Sequence, residues 1–145
     1  MRNIIVIALF ILAGCAGQRV SPEYAINPQQ AISMAAEAAP KPVLATLTLQ
    51  VRTVGTQNGI TYLNSEADYR DQRNVSVSIT PEVLPKIESL FGGDLAEVAK
   101  GKRILVKGPV RRVTIWFFDN NGERTSKYYY QTHILVTDPM QVQII

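Results

Sequence analysis

Apolar and polar residues alternate in short runs from Val43 onward, and this alternation constrains the fold more than any other feature of the chain. In the first run, residues 43–52, an apolar side chain occupies every second position, which is the period of a strand with one buried face. Further runs follow the same pattern between short polar stretches, so the chain is predicted to be mainly β. The predicted strands cover 43–52, 60–63, 75–80, 104–117, 127–136 and 142–144.

Turn signals join several of these strands. Asn58-Gly59 and Asn121-Gly122 tolerate positive φ angles and predict two hairpin turns. Asp138-Pro139 predicts a turn before the last strand. The connections are short enough for antiparallel pairing.

The segment between the third and fourth strands breaks the alternation and predicts two helices. Thr80-Pro81 is a typical start, with Thr as the cap and Pro in the first turn, and the glycine pair 92–93 is a typical end. Asp94 followed by Glu97 predicts a capping box for a short second helix. The apolar residues of the first helix share one face and are expected to be buried: Val83, Leu84, Ile87, Leu90 and Phe91.

The predicted order is therefore three strands, a helical segment, and two or three more strands. A chain of 145 residues has room for one domain. A small five-stranded barrel with a helix between its third and fourth strands is the OB-fold. We predict such an OB-fold-like barrel, with the helix at one open end and an extended hairpin over 111–131 between strands four and five.

Three stretches resemble a set of bacterial OB-fold domains that are themselves similar to nucleic-acid-binding ones. These stretches are 59–70 (GITYLNSEADYR), 101–110 (GKRILVKGPV) and 134–142 (ILVTDPMQV). The resemblance spans about residues 44–145 and implies the barrel fold. It implies no particular activity, because OB-folds bind many kinds of ligand.

A different pattern occupies the first fifteen residues. A short basic start precedes an apolar run at 4–12, which is shorter than the about 20 residues that span a bilayer and has the form of an export signal. Leu12-Ala13-Gly14-Cys15 then resembles the lipobox of bacterial lipoproteins. This resemblance implies a signal peptide over 1–14 and a lipid on Cys15 that anchors the protein to a membrane. The alternative is an ordinary signal peptide followed by an unrelated Cys.

The residue after Cys15 bears on which membrane holds the lipid. In Gram-negative lipoproteins an Asp at this position tends to retain the protein in the inner membrane, whereas this chain has Ala16. The resemblance therefore implies the outer membrane of the cell envelope, with the domain facing the periplasm.

Residues 15–42 are predicted to be the lipidated Cys and a flexible tether, and residues 43–145 the OB-fold-like domain. Prolines and polar residues recur along 16–42, as in a spacer that holds a domain away from a lipid surface. The Ala-rich stretch 28–39 is the alternative within it, a short helix bounded by Pro28 and Pro40.

One candidate ligand site lies beside the second strand. In OB-folds the face of strands two and three and the adjacent loops form the usual binding surface. There Tyr62 and Tyr69 are candidates for stacking on a base or sugar, and Arg70 and Arg73 for holding a phosphate or carboxylate. The alternative is a solvated loop in which these side chains only pack or pair with acids.

A second candidate surface is the long hairpin, where aromatic residues flank the turn. We expect Phe117 to face the core and its neighbours to face outward as a partner site. The alternative is that the aromatic pairs only stabilise the ribbon. The candidate partner residues are Trp116, Phe118, Tyr128 and Tyr130.

The remaining composition narrows the chemistry. One Cys and one His exclude a multi-Cys zinc site and an internal disulfide. No motif places a nucleophile and an acid around His133, and no Gly-rich phosphate loop occurs. We therefore expect neither enzymatic activity nor a metal or cofactor.

The function predicted from the sequence is that of a lipid-anchored cell-envelope protein with a non-catalytic OB-like binding domain. Its ligand is an anionic polymer or a small ligand, bound through Tyr62, Tyr69, Arg70 and Arg73. Nucleic acid is a conceivable partner but is not favoured in the periplasm, and the formal net charge of +3 is small for such a binder. The alternative is an accessory lipoprotein that binds an envelope protein through the hairpin.

Overall fold

The protein is described here by a computed structural model, which describes residues 24–145. The predicted signal peptide, Cys15 and the first part of the predicted tether lie outside the described residues. Two helices of eight residues or more, one short helix, one 3-10 turn and a set of strands make up the fold. In chain order they are α1 (Pro28–Ala38), β1 (Val43–Gln50), β2 (Thr53–Gln57), β3 (Ile60–Asn64), β4 (Val75–Ile79), α2 (Leu84–Phe91), α3 (Leu95–Val98), β5 (Arg103–Phe118), β6 (Arg124–Val136), the 3-10 turn Pro139–Gln141 and β7 (Val142–Ile144).

The strands form one sheet in the order β1-β5-β6-β4-β3-β2, with β7 paired to β5. All pairs are antiparallel except β4 with β6, which is parallel. The two ends of this order, β1 and β2, are consecutive in the chain and are separated only by Val51 and Arg52. The predicted first strand, 43–52, covers β1 and this two-residue connection, whereas β2 was not predicted as a strand.

This pairing confirms the predicted OB-like fold. With β1 and β2 counted as one bent strand, β3, β4, β5 and β6 are the other four, and the helical segment lies between the third and fourth. The extended hairpin is also confirmed, since β5 and β6 pair out to Phe118 and Arg124. Inside the barrel, alternate residues of each strand form the core, such as Leu47, Leu63 and Val77.

Helix α1 is part of this domain, so the alternative of a short helix that begins at Pro28 is observed in place of a flexible tether. Asn27 caps it in a reciprocal box with Gln30, each side chain binding the other's backbone N–H at 2.9 Å. Ala31 and Ala35, one turn apart, are fully buried in the core. The helix contacts β1, β4, β5 and β6, so it lies across an end of the barrel. Small Ala side chains carry a weak hydrophobic signal, yet they allow this close approach.

The segment before α1 also belongs to the fold. Ile26 runs parallel to β1 as an isolated bridge beside Leu47. Its N–H donates to the Thr46 carbonyl at 2.9 Å, and its carbonyl accepts from the Thr48 N–H at 3.0 Å. The folded structure therefore begins before residue 43.

The helical segment between β4 and β5 also differs from its prediction in detail. A turn closes on the Thr80 carbonyl, which accepts from the N–H groups of Val83 and Leu84 at 3.1 Å, so α2 begins at Leu84 without a side-chain cap. Leu90 is 63% exposed, although it was expected on the buried face. The predicted end is confirmed, because Gly92 adopts a left-handed φ of 83°.

The start of α3 is capped differently from the predicted box. Asp94 accepts from the Ala96 N–H at 2.9 Å. The neighbouring Leu95 N–H donates to the Glu88 carboxylate of α2 at 3.1 Å. The first N–H groups of α3 are therefore bound by Glu88 and Asp94, and not by the predicted box with Glu97. The cap therefore also ties the two helices together.

Gly108 marks the place where β5 changes partners. β5 pairs with β7 up to Val106 and with β6 from Val110 onward, while its pairing with β1 runs from Arg103 through Gly108 to Val110. A Cβ at this position would lie 2.7 Å from the Leu135 carbonyl oxygen and 2.9 Å from the Gln141 amide nitrogen. Only glycine permits this approach without a shift of the backbone of β6.

Replacing Ala35 by Leu tests whether α1 is part of the core. The added atoms would overpack a fully buried position and should lower the free energy of unfolding by about 1–3 kcal/mol. Ala36→Leu, at the adjacent exposed position, should change it by less than about 0.5 kcal/mol. Urea unfolding of both variants measures the difference. Equal stabilities would mean that α1 does not pack into the barrel.

Candidate ligand-binding cleft

A cleft of about 430 Å³ opens on the outer face of the sheet, a volume within the range of about 300–1,000 Å³ of small-ligand sites. On β3, Leu63 points into the core, and its neighbours Tyr62 and Asn64 therefore point outward and line the cleft. The same alternation on β6 sends Ile134 inward and His133 outward. The cleft is lined by Gly55, Thr56, Gln57, Tyr62, Asn64, Tyr69, Ser76, Ile115, Tyr129, Gln131 and His133.

Aromatic rings from three elements lie around this cleft. Tyr62 comes from β3, Tyr69 from the loop that follows, and Tyr129 from β6. The Tyr62 ring meets the His133 ring edge-on, with centroids 5.8 Å apart. Tyr69 is 51% exposed at the rim. Because each tyrosine has an apolar face and a polar tip, the cleft offers both stacking surfaces and hydrogen-bonding groups.

A chain of hydrogen bonds runs along the floor of the cleft and determines which of its groups donate and which accept. Gln131 donates its amide N–H to the Tyr129 hydroxyl at 2.9 Å, which directs its carbonyl oxygen at His133 Nε2, 2.7 Å away. His133 therefore carries its proton on Nε2, and Nδ1 accepts from the Ser78 hydroxyl at 3.2 Å. The Tyr129 hydroxyl, as an acceptor from Gln131, keeps its own proton for a further partner.

Burial keeps His133 neutral. Desolvation in this site lowers the pKa of its imidazole from 6.5 to about 4, because the charged form loses hydration. Burial also raises the pKa of the Tyr129 hydroxyl above its usual value, so this group stays protonated as well. At neutral pH the floor of the cleft is therefore uncharged.

Asn74 shapes the loop that carries Tyr69. Its side chain is 3% exposed, accepts from the Glu66 N–H at 3.0 Å, and donates to the Tyr69 carbonyl at 3.3 Å and the Ser76 hydroxyl at 3.0 Å. One buried amide thus ties both ends of the loop to β4. The tyrosine is held at the rim by this buried network.

The two arginines of the predicted site do not line the cleft. Arg70 pairs with the Asp68 carboxylate at 3.2 Å, and Arg73 pairs with that of Asp71 at 2.7 Å. Hydrogen bonds from Arg73 lower the pKa of the Asp71 carboxyl to about 2, and those from Arg70 lower that of Asp68. Each positive charge is therefore matched by a carboxylate two residues earlier in the chain.

The structure thus divides the predicted ligand residues. Tyr62 and Tyr69 lie in one cleft, whereas the arginines lie beside it as local ion pairs. Sequence reasoning missed the opposite wall, which consists of Tyr129, Gln131 and His133. The parallel pairing of β4 with β6 places Ser76 beside His133, and the strand pattern alone did not reveal which strand β4 would join.

The predicted partner residues form a row on the hairpin. Rings of Trp116 and Tyr128 lie 5.1 Å apart, and those of Tyr128 and Tyr130 lie 5.4 Å apart. An arginine covers each end of the row, with Arg124 at 4.6 Å from the Trp116 ring and Arg112 at 4.2 Å from the Tyr130 ring. Phe118, the fourth predicted residue, lies beyond a bulge and is 64% exposed.

Phe117 does not face the core, which corrects the prediction. Val110 faces the barrel interior. Because side chains alternate along a strand, the even-numbered residues of β5 beyond Val110 lie on the same face of the hairpin as Val110. Phe117 lies on the other face with Ile115, is 50% exposed, and packs against Tyr129 with ring centroids 5.7 Å apart. The hairpin beyond the barrel therefore presents aromatic residues on both faces.

Within residues 24–145, no helix combines the length and the apolar character needed to cross a membrane. In the same part of the chain, no three side chains of His, Cys, Asp or Glu come together as metal ligands would.

No family model and no curated protein matches this chain. Among solved structures it is similar to a mitochondrial single-stranded DNA-binding protein from S. cerevisiae, with a TM-score of 0.42 and 14% identity over 72% of this chain and 95% of that one. It is also similar to an aspartyl-tRNA synthetase from Entamoeba histolytica, with a TM-score of 0.39 and 11% identity over 76% of this chain. The chain spans 20% of the length of that synthetase. With TM-scores below 0.5, nothing about ligand or activity follows from these likenesses.

The depressed pKa of His133 predicts how stability depends on pH. Between pH 6.5 and about 4 the unfolded chain binds a proton at this residue and the folded chain does not, so the free energy of unfolding should fall as the pH is lowered through this window. The loss should approach about 3 kcal/mol at pH 4.

This is the chain's single His, so one imidazole NMR resonance reports its titration directly. Urea unfolding between pH 4 and 7 measures the stability, with His133→Gln as the comparison, since Gln does not titrate. An imidazole that titrates near pH 6.5 in the folded protein would contradict the neutral, buried state described above.

Proposed function

We propose that this protein is a non-catalytic binding module that holds its ligand in the cleft on the outer face of its OB-like barrel. The observation that carries the proposal is the cleft itself, where Tyr62, Tyr69 and Tyr129 surround amide and hydroxyl groups. Apolar faces with a few converging polar groups are the usual make-up of a ligand site. The loop that holds Tyr69 is fixed by Asn74, so the site is formed before a ligand arrives.

The state of His133 supports binding rather than catalysis. Both ring nitrogens are already within hydrogen-bonding distance of Ser78 and Gln131. A pKa of about 4 also makes the imidazole a weak base at neutral pH. The adjacent Ser78 is 6% exposed, so a substrate would have little access to its hydroxyl.

Substitution of Tyr69 tests the cleft with little risk to the fold, because this side chain is half exposed. A panel of chitotetraose, cellotetraose and a short oligothymidylate should contain at least one probe that binds saturably by NMR titration. Tyr69→Ala should weaken that binding by about 1 kcal/mol or more through the lost stacking surface.

Tyr24→Ala is the matched control, since Tyr24 is 81% exposed and lies before α1, away from the cleft. It should leave the affinity unchanged. If no probe of the panel binds, or if Tyr69→Ala binds as well as the unaltered protein, the cleft is not the ligand site.

The hairpin supports a second candidate function, the binding of an envelope protein. Trp116, Tyr128 and Phe118 are 36%, 49% and 64% exposed beyond the barrel, and aromatic anchors dominate many protein interfaces. Crosslinking followed by affinity purification should then recover the same partner with unaltered protein and with Tyr69→Ala, and lose it with Trp116→Ala. Such a result, with no probe bound in the cleft, would favour this second function.

We further propose that a lipid on Cys15 attaches this module to a membrane of the bacterial cell envelope, on the outer membrane facing the periplasm. The support is the resemblance of Leu12-Ala13-Gly14-Cys15 to a lipobox. Tyr24, the first described residue, comes nine positions after Cys15. An extended chain of that length reaches about 30 Å, so the lipid would keep the barrel near the membrane surface.

Cys15→Ser tests the anchor. The serine hydroxyl cannot form the thioether that holds the diacylglycerol, so the variant should lose incorporation of radiolabelled palmitate and should leave the membrane fraction. Ala16→Ser, next to it, should keep both. A Cys15→Ser protein that still carries the label would contradict the proposed lipidation.

A further inference from the structure

The ligand class follows from the charge of the cleft. Among the described residues that line it, none is Lys, Arg, Asp or Glu. Proteins that bind polyanions depend on cations that are free to neutralise phosphates or carboxylates. This cleft offers none, and its floor is held in an uncharged state by the chain from Ser78 through His133 to Tyr129.

The nearest charges do not change this conclusion. The guanidinium groups of Arg70 and Arg73 lie 3.2 and 2.7 Å from the carboxylates of Asp68 and Asp71. Each carboxylate binds Nε and Nη2 of the guanidinium and also accepts from the backbone N–H of the same arginine at 2.9 Å. An anion would reach only the remaining N–H groups and would be repelled by the adjacent carboxylate. The loop is therefore arranged as two neutral pairs rather than as an anion clamp.

The hydrogen-bonding groups left over in the cleft are also uncharged. Within residues 24–145, the hydroxyls of Tyr62 and Tyr69 and the carboxamide of Gln57 make no hydrogen bond to the rest of the chain, although all three line the cleft. The Tyr129 hydroxyl accepts from Gln131 and keeps its donor. The open groups are three hydroxyls and one amide, which match a ligand that carries hydroxyl and amide groups of its own.

The aromatic faces complete this chemistry. A pyranose ring has an apolar face of C–H groups and a polar edge of hydroxyls, and a tyrosine ring has an apolar face and a hydroxyl at its tip. Tyr62 within the cleft supplies such a face. Tyr69 at the rim supplies the face that is not covered by the Arg70 guanidinium, which lies 5.5 Å from the centroid of its ring. Planar apolar contact with polar groups at the edges gives orientation without requiring charge.

We propose that the cleft binds an uncharged glycan segment, with sugar rings stacked on Tyr62 and Tyr69 and their hydroxyl or acetamido groups bound by Gln57 and Tyr129. This rests on the proposed function, because it names the ligand class of the same cleft. A nucleic acid strand is the competing ligand, since its bases also stack on tyrosine, but its phosphates would find no free cation in the cleft.

Titration against neutral and anionic probes separates these ligands. The full chain, purified in a detergent without a sugar headgroup, is titrated with chitotetraose, cellotetraose and oligothymidylate at low and high NaCl. We expect one of the two neutral glycans to bind, with less than about twofold change in affinity with salt, because no counterions are released. Tyr69→Ala should weaken this binding about tenfold, whereas Tyr24→Ala should leave it unchanged.

A variant with an added charge gives a second readout that does not depend on removing a contact. Gln57 is exposed at the rim of the cleft, so Gln57→Lys should fold normally. For a neutral glycan the new cation should not strengthen binding, and the lost amide should weaken it by about threefold or more. For a phosphate-bearing strand, the same cation should strengthen binding and steepen its salt dependence.

The possible outcomes distinguish failure of the glycan assignment from failure of the cleft as a ligand site. If oligothymidylate binds, loses affinity steeply with salt and binds better to Gln57→Lys, while neither glycan binds, the glycan assignment is wrong and the binding cleft stands. If no probe binds at all, both the glycan assignment and the cleft as a ligand site are wrong. Binding of a glycan that survives Tyr69→Ala unchanged would place it elsewhere and would also overturn the assignment.

Discussion

The change of partner along β5 is the constraint on which the rest of this structure depends. A single strand, Arg103–Phe118, pairs with β1 and β7 in its first half and with β6 in its second. The change occurs where Gly108 lies so close to β6 that a Cβ would approach the Leu135 carbonyl to 2.7 Å. Gln141 secures the same junction by donating to the carbonyls of Lys107 and Leu135, at 2.8 and 3.1 Å. Because β5 joins β1 to β6, it connects β1 to the rest of the sheet. Its second half also forms the hairpin with β6, and Ile115 and Tyr129 of this hairpin line the cleft.

The outer face of the sheet is unusual in being polar and yet largely buried. Ser76 and Ser78 of β4 are 2% and 6% exposed, and each is hydrogen-bonded, Ser76 to Asn64 at 2.8 Å and Ser78 to His133. Burial of such groups is tolerable only when every one has a partner, and in the described part of the chain no buried side-chain polar atom lacks one. A polar network of this kind fixes side-chain orientations more narrowly than apolar packing does. It therefore suits a surface that must present hydroxyl and amide groups in defined positions.

Local patterns in the sequence predicted most of the elements, whereas the site required knowledge of their neighbours. Alternation located every strand except β2 within a few residues. Asparagine-glycine pairs located two of the turns, where Gly59 and Gly122 adopt positive φ angles. Prolines and polar residues predicted a tether over residues 15–42, with a short helix over 28–39 as the alternative. Helix α1 corresponds to that alternative, and the burial of Ala31 and Ala35 could not be predicted because alanine contributes little to a hydrophobic pattern. The His133 wall was missed for a different reason. It depends on the parallel pairing of Ser76 with His133, and residues so far apart in sequence leave no periodic signal of their contact.

Local charge pairing explains why the two arginines of the predicted site do not line the cleft with the two tyrosines. Arginines two residues after an aspartate, as in Asp68-Tyr69-Arg70 and Asp71-Gln72-Arg73, can close a local ring in which the carboxylate binds both the backbone N–H and the guanidinium. Such short loops lose little conformational entropy on closure, so local pairing competes well with a distant ligand. On the hairpin, Arg112 and Arg124 are likewise held over the rings of Tyr130 and Trp116. The arginines beside the cleft and on the hairpin row are therefore held by local partners, and the residues that line the aromatic cleft suit ligands that need no charge.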